Sequence, residues 1–416
     1  MLILQFPNYK LLFMIDVGLT VFMIVCTSLV MLMTPGLAFF YGGLACKKNI
    51  LNVMIQSFVS MGWTSILWYA FGYSLCFSGG EGQIIGDLEK AFYHGVTPDA
   101  LFSQEKRFPE IVFIAYQMMF AIITPALITG AFANRITFKA FFIFLTFWQI
   151  LVYYPFAHMI WGNGLLAKWG VLDFAGGIVV HATAGFAALA SVIYVGERRV
   201  KHDRPNNLPL VAIGTALLWF GWYGFNAGSE LNVNRITALS FINTDLAASV
   251  GAVTWMCIEW FGSHKRPTFV GLLTGSVAGL ATVTPAAGYI TYESAFLIGM
   301  LGSIVCYWAV KLKNRMGWDD ALDVWGVHGV GGVVGTVLLG VLGSKAINPN
   351  GADGLIFGGT DFFFKELIAV VATSAYAYFF TYYMLVLINK ITRVKVTAEE
   401  EEQGLDSIYH GEVARD

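Results

Sequence analysis

Apolar residues run in long blocks along almost the whole chain, broken at short intervals by polar clusters. A helical block of ~20 apolar residues spans a hydrocarbon layer ~30 Å thick. The blocks predict eleven membrane-spanning helices, near residues 12–40, 49–77, 110–134, 138–160, 173–196, 208–229, 236–262, 268–285, 289–312, 319–342 and 362–389. The first block runs on to Phe40, and neither a basic n-region nor a small-residue cleavage site marks a removable signal peptide. An all-α polytopic membrane protein is the expected fold class.

Composition agrees. Of the 416 residues 57% are hydrophobic and 12% charged, where a soluble domain has about 25% charged residues. The 45 glycines suit helices that approach closely in lipid. A net charge of −2 argues against a nucleic-acid partner. The five cysteines show no CxxC pair, so neither a metal site nor a disulfide framework is expected. No phosphate-binding GxxxxGK[ST] loop and no Arg-rich voltage-sensing helix is present. Nothing calls for a cofactor, and no catalytic constellation marks an enzyme.

One set of connections, typified by Lys47, Arg135, Arg198, Lys313 and Arg393, carries sixteen Lys and Arg. The alternate set, from Lys10 to Lys365, carries eight. Such an excess marks the cytoplasmic side, so the N-terminus is expected outside and the C-terminus inside. Residues 1–390 form the membrane domain. The acidic segment 391–416 reads either as a solvated end or as a regulatory arm on the cytoplasmic face.

Ionisable side chains at membrane depth are rare and usually functional. His94, His202, His264 and His410 fall in loops or the tail, and His158 lies close to an interface. His181 and His328 sit deeper. His181 is eight residues after Asp173, about 12 Å along a helix. Each of the two is in the fifth helix of a set of five, which suggests spans 1–5 and 6–10 as an inverted pseudo-two-fold repeat around a central pore, with span 11 peripheral. Three readings compete: a hydrogen-bonded core pair, bis-imidazole haem ligation, and a proton-handling pair in a narrow pore. Asp173 reads as a helix cap or as a cation ligand. Tyr116 and Phe120, Trp161, and the run Trp222 to Ser229 bring rings and a hydroxyl to one leaflet. They form either an interfacial aromatic belt or a cage for a small cation.

These residues carry a resemblance. Asp173-Phe-Ala-Gly-Gly-Ile-Val-Val-His181, Asp323-Val-Trp-Gly-Val-His328, His158-Met-Ile-Trp161-Gly, Gly224-Phe225-Asn226-Ala-Gly-Ser229 and the tail run Gly404-Leu-Asp406 resemble the ammonium transporter family, Amt branch. The similarity runs over about residues 12–412. It implies an outer recruitment site of Tyr116, Phe120, Trp161 and Ser229, with Tyr116 standing where phenylalanine is expected. It implies a gate of Phe120 and Phe225, a pore lined by His181, His328 and Trp222, and an aspartate, Asp173, supporting recruitment. It further implies an ammonium carrier of the cell membrane, with methylammonium as analogue, that passes ammonia with net charge transfer. A homotrimer in membrane lipid, and a PII-type signal protein docking on the cytoplasmic face, come with the family. The alternatives are an ammonium sensor on the same fold and a bis-histidine haem protein.

Overall fold

The computed structural model describes residues 15–200, 205–262 and 265–414. Lys10, the first residues of span 1, Lys201, His202, Arg204 and His264 lie outside the described residues. Eleven apolar helices build the described fold: α1 (Val17–Leu44), α2 (Lys47–Phe77), α3 (Glu110–Ile128), α4 (Phe138–Trp169), α5 (Gly177–Val195), α6 (Leu208–Glu230), α7 (Arg235–Phe261), α8 (Phe269–Val283), α9 (Tyr292–Arg315), α10 (Trp325–Leu342) and α11 (Thr360–Ile391). Ten are long and apolar enough to cross a membrane, and α8 is shorter. Among the described residues, β pairing amounts to two isolated bridges.

Short polar side chains start the helices where the sequence turns apolar. Asp16, Thr137, Asn207, Asn234, Thr268 and Thr291 each accept an otherwise orphaned N–H in the first turn of α1, α4, α6, α7, α8 and α9. Large apolar side chains such as Ile24, Phe220, Val253 and Phe379 remain half exposed on the outside of the bundle. A lipid or subunit environment accepts such a surface where water would not.

Several predicted boundaries move, four of them for a clear local reason. The third helix stops at Ile128 rather than 134, because the chain turns through Thr129–Asn134, where Asn134 takes a positive φ of 68°. The eighth stops at Val283, ahead of the non-helical run Thr284-Pro285. The fifth begins at Gly177 rather than 173, and the tenth at Trp325 rather than 319. In both of those an aspartate outside the helix satisfies its first N–H groups. Asp173 accepts from Gly176, Gly177, Ile178 and Val179 at 2.7–3.0 Å. Asp320 accepts from Trp325 at 2.8 Å.

The basic loops and the C-terminal segment interlock at one end. The buried Arg135 guanidinium donates to the carbonyls of Ala131, Gly196 and Asp319. The Asp319 carboxylate pairs with Arg198 at 2.5 Å. Burial pushes the Asp319 carboxyl up, but the Arg198 hydrogen bonds and the Arg135 charge outweigh it and bring the group down to about 2. Burial also lowers Arg135 to about 10, against the attraction of Asp319. The tail packs on this cluster. Thr397 and Glu400 cap helix α12 (Ala398–Gln403) reciprocally. Buried Glu401 accepts from the N–H of Arg199 at 2.6 Å, and buried Asp406 accepts from those of Leu51 and Asn52.

Candidate functional site: two vestibules and a histidine-lined constriction

Three spaces adjoin one another in the bundle, linked by His328 and by the Phe120–Phe225 ring contact. At the end opposite the basic loops a vestibule of about 300 Å³ is lined by Gln117, Phe120, Trp161, Asp173, Phe174 and Ser229, among others. At the basic end a second vestibule of about 250 Å³ reaches Tyr41, Arg198, Asp323 and His328. Between them is a constriction of about 10 Å³ lined by apolar side chains, Trp222, Phe225 and both deep histidines.

The aromatic end is built from α3, α4 and α6. Phe120 and Phe225 lie ring against ring, 4.3 Å between centroids, and close the floor of the vestibule. Trp161 meets Phe120 edge-on at 5.6 Å, its indole N–H held by the Asp173 carbonyl at 2.9 Å. Ser229 donates its hydroxyl to the Phe225 carbonyl at 2.8 Å and lies 3.3 Å from the Tyr116 hydroxyl, and its oxygen keeps a lone pair that can accept from a guest. Tyr116 sits behind this surface. Its ring is fully buried against Phe120, and its hydroxyl is within 2.9 Å of the Gly224 and Phe225 carbonyls. The vestibule wall is instead lined by its neighbour Gln117, whose buried Oε1 has no partner. Sequence reasoning passed over Gln117. The available signal was a lone amide three residues before Phe120 in an apolar span.

The two histidines belong to α5 and α10, whose first turns are π-helical, Gly177–Ala182 and Trp325–Gly329. Such turns recur at functional sites. A glycine contact brings the helices together. A Cβ on Gly185 would fall on the backbone of Gly329, so the chains touch with no side chain between them. The imidazoles therefore stack at 5.3 Å between centroids, with the two Nδ1 atoms 3.3 Å apart. Trp222 stacks on His181 at 5.5 Å and is fixed by its N–H to Thr284 Oγ1 at 2.9 Å. Ring-to-ring stacking in so small a space leaves no room for a haem macrocycle between the two nitrogens.

A shared Nδ1 contact has a chemical consequence. If both rings are neutral, one Nδ1 donates and the other accepts, so the two Nε2 atoms have opposite character. His181 Nε2 has no partner within the protein. One end of the pair then offers an acceptor for a proton and the other a donor; uptake of a proton at the accepting Nε2 and release of one from the other Nε2, with the shared proton crossing between the Nδ1 atoms, reverses them. Asp173, by contrast, spends its carboxylate on four backbone N–H groups while lining the vestibule. His158 is buried and bonds through Nδ1 to the Cys76 carbonyl, away from both vestibules.

Residues 21–415 match the model of the Ammonium Transporter Family. The chain is 43% identical to an ammonium transporter of Bacillus subtilis, over 96% of this chain and 98% of that one. Among solved structures it resembles the Mep2 mutant S453D from Candida albicans with a TM-score of 0.88 at 33% identity, covering 95% of this chain and 90% of that one. It also resembles a protein described as a sensor Amt protein, TM-score 0.85 at 26% identity, over 97% and 100% of the two chains.

Proposed function

Since the chain belongs to the ammonium transporter family, a membrane transporter rather than an enzyme, we propose that it takes up ammonium across the cell membrane by passing the cation through the Phe120–Phe225 gate, stripping its proton near His181 and His328, and conducting ammonia through the rest of the pore. The aromatic end faces outside and the basic end the cytoplasm, in line with the positive-inside bias. Spans 1–5 and 6–10 act as inverted halves. The matched spacing of Asp173 to His181 and Asp320 to His328, each aspartate feeding the start of a π-turn, supports that symmetry.

The observation that carries the reading is the constriction itself. An ammonium ion inside about 10 Å³ of apolar space would lose its hydration with no full set of acceptors, at a cost of many kcal/mol. Ammonia loses far less. In the vestibule the cation keeps company. Phe120 and Trp161 offer ring faces worth about 0.5–2 kcal/mol each, Ser229 Oγ and Gln117 Oε1 offer acceptors, and buried Asp173 adds negative potential. Potassium gains from the rings and has no N–H to donate. Below the Phe120–Phe225 gate the imidazole pair provides a nitrogen acceptor for the released proton. That proton crosses apart from ammonia and recombines inside, so charge moves with each nitrogen. A homotrimer with one pore per subunit, embedded in lipid, and a PII-type protein on the cytoplasmic face complete the reading. The packed tail lies where such a partner would dock and serves as a regulatory arm.

The test is solid-supported-membrane electrophysiology on the purified protein with ammonium, methylammonium and potassium pulses. Sustained currents for the first two and none for potassium are expected; equal potassium current would overturn the proposal. The likeness to a sensor Amt protein favours a second reading, in which ammonium binds in the vestibule without steady flux. Saturable binding with no ammonium-dependent current would select it.

A further inference from the structure

Glu366 is fully buried on α11, six residues after the helix begins at Thr360, and the site described above makes no use of it. Its Oε1 accepts the N–H of Leu172 at 2.6 Å, and its Oε2 has no partner. Leu172 belongs to the irregular stretch between α4 and α5. The next residue, Asp173, presents its carbonyl to the Trp161 indole at 2.9 Å. Phe174, one further on, donates its N–H to the Pro285 carbonyl at 3.1 Å. Three consecutive residues are thus anchored by three different elements, and they carry both the carbonyl that aims Trp161 and the carboxylate that lines the vestibule.

We propose that Glu366 is a positioning residue for the recruiting face: by holding the Leu172 N–H it fixes the Asp173 carbonyl and, through it, the Trp161 indole over the vestibule. The inference rests on the ammonium-recruiting reading of that vestibule. Among the described residues no other acceptor bonds the Leu172 N–H. Without an acceptor that buried donor is left unsatisfied, and the peptide turns to find another, taking the indole's partner with it. What the role demands of the side chain is an acceptor at Oε1.

The roles separate by substitution in the full-length protein, reconstituted in liposomes and compared at equal folded amounts. Glu366→Gln keeps an acceptor, and its half-saturating concentration for ammonium is expected within about twofold of the parent, a spread below one hydrogen bond. Glu366→Leu, with Glu366→Met as a second variant should leucine fail to fold, is expected to raise that concentration about five- to tenfold, as loss of one hydrogen bond would. Maximal current is expected to hold. The decisive arm places Glu366→Leu, or Glu366→Met, in a Trp161→Phe background, where it should add nothing, because a residue acting through Trp161 is coupled to it. Equal shifts in both backgrounds, a Gln variant as impaired as the apolar one, or an apolar variant with unchanged affinity would each overturn the proposal. Absence of ammonium current in the unmodified protein would instead bring down the transport reading, and this inference with it.

Discussion

His181 Nδ1 and His328 Nδ1 stand 3.3 Å apart, bridged from helices that begin at opposite ends of the bundle. At that distance a single proton belongs to both rings, and losing either ring leaves the other without its partner. The pair stands as one unit between the two vestibules.

Replacing both His181 and His328 by alanine is expected to abolish ammonium-selective current while the protein still assembles. The ratio of ammonium to potassium current should fall at least about tenfold, the equivalent of about 1.4 kcal/mol in barrier. An unchanged ratio in reconstituted membranes would defeat the deprotonation step.

Ser229→Ala removes an acceptor from the vestibule, and Gln117→Leu removes another. Hydrogen bonds to a charged guest are worth about 1.5–3 kcal/mol, so each change is expected to raise the half-saturating ammonium concentration about tenfold or more. Concentration series of transient currents provide the check.

Acid should loosen the basic end. The Asp319 carboxyl is ordinarily near 3.8 and is held at about 2 in the fold. A depressed carboxylate contributes stability that is present above its unfolded value and lost as pH falls through the folded one. The window is therefore about pH 4 down to pH 2, with a contribution on the order of 2 kcal/mol. Thermal unfolding in detergent is expected to lose stability over that window in the parent and less in Asp319→Asn, which should already be weaker at neutral pH.

Asp406→Ala strips the N–H groups of Leu51 and Asn52 of their shared acceptor. Leaving buried donors unpaired costs about 1–3 kcal/mol each, so the tail is expected to undock more often. Limited proteolysis should cut after residue 391 faster than in the parent, with the helical bundle intact.

Gly185→Val would drive a branched side chain into the Gly329 backbone. Overpacking of this kind typically costs about 1–3 kcal/mol, and backbone against backbone has little room to relax. Lower folded yield and a lower unfolding temperature are expected; a parent-like protein would show that the helices part easily here.

Much of this was legible in the residues. Long apolar blocks locate the spans because lipid leaves a helix few alternatives, and His181 and His328 stand out as titratable groups where such groups are costly. What escaped detection is informative. Hydropathy continues through Asp173–Gly176 and Leu322–Val324 whether or not the backbone is helical, so it placed the starts of α5 and α10 too early. Tyr116 and Gln117 are adjacent, and only the helix phase decides that the amide lines the vestibule while the phenol turns to backbone carbonyls. The anchoring of Leu172 by Glu366 joins residues 194 apart in the chain, which no local pattern reveals. The acidic tail reads either as a solvated end or as a cytoplasmic arm, and nothing in its pattern reveals that Glu401 and Asp406 accept from specific N–H groups far away in sequence.

Where α5 crosses α10, Gly185, one turn after His181, meets Gly329, the residue next to His328. Side chains that interdigitate can slip past one another by changing rotamers, as rocking carriers require. Two peptide backbones in contact have no such play. On the proposed transport reading the crossing would act as a weld rather than a hinge, and the two vestibules would not open in alternation. Discrimination would then depend on what the cargo can shed on entering.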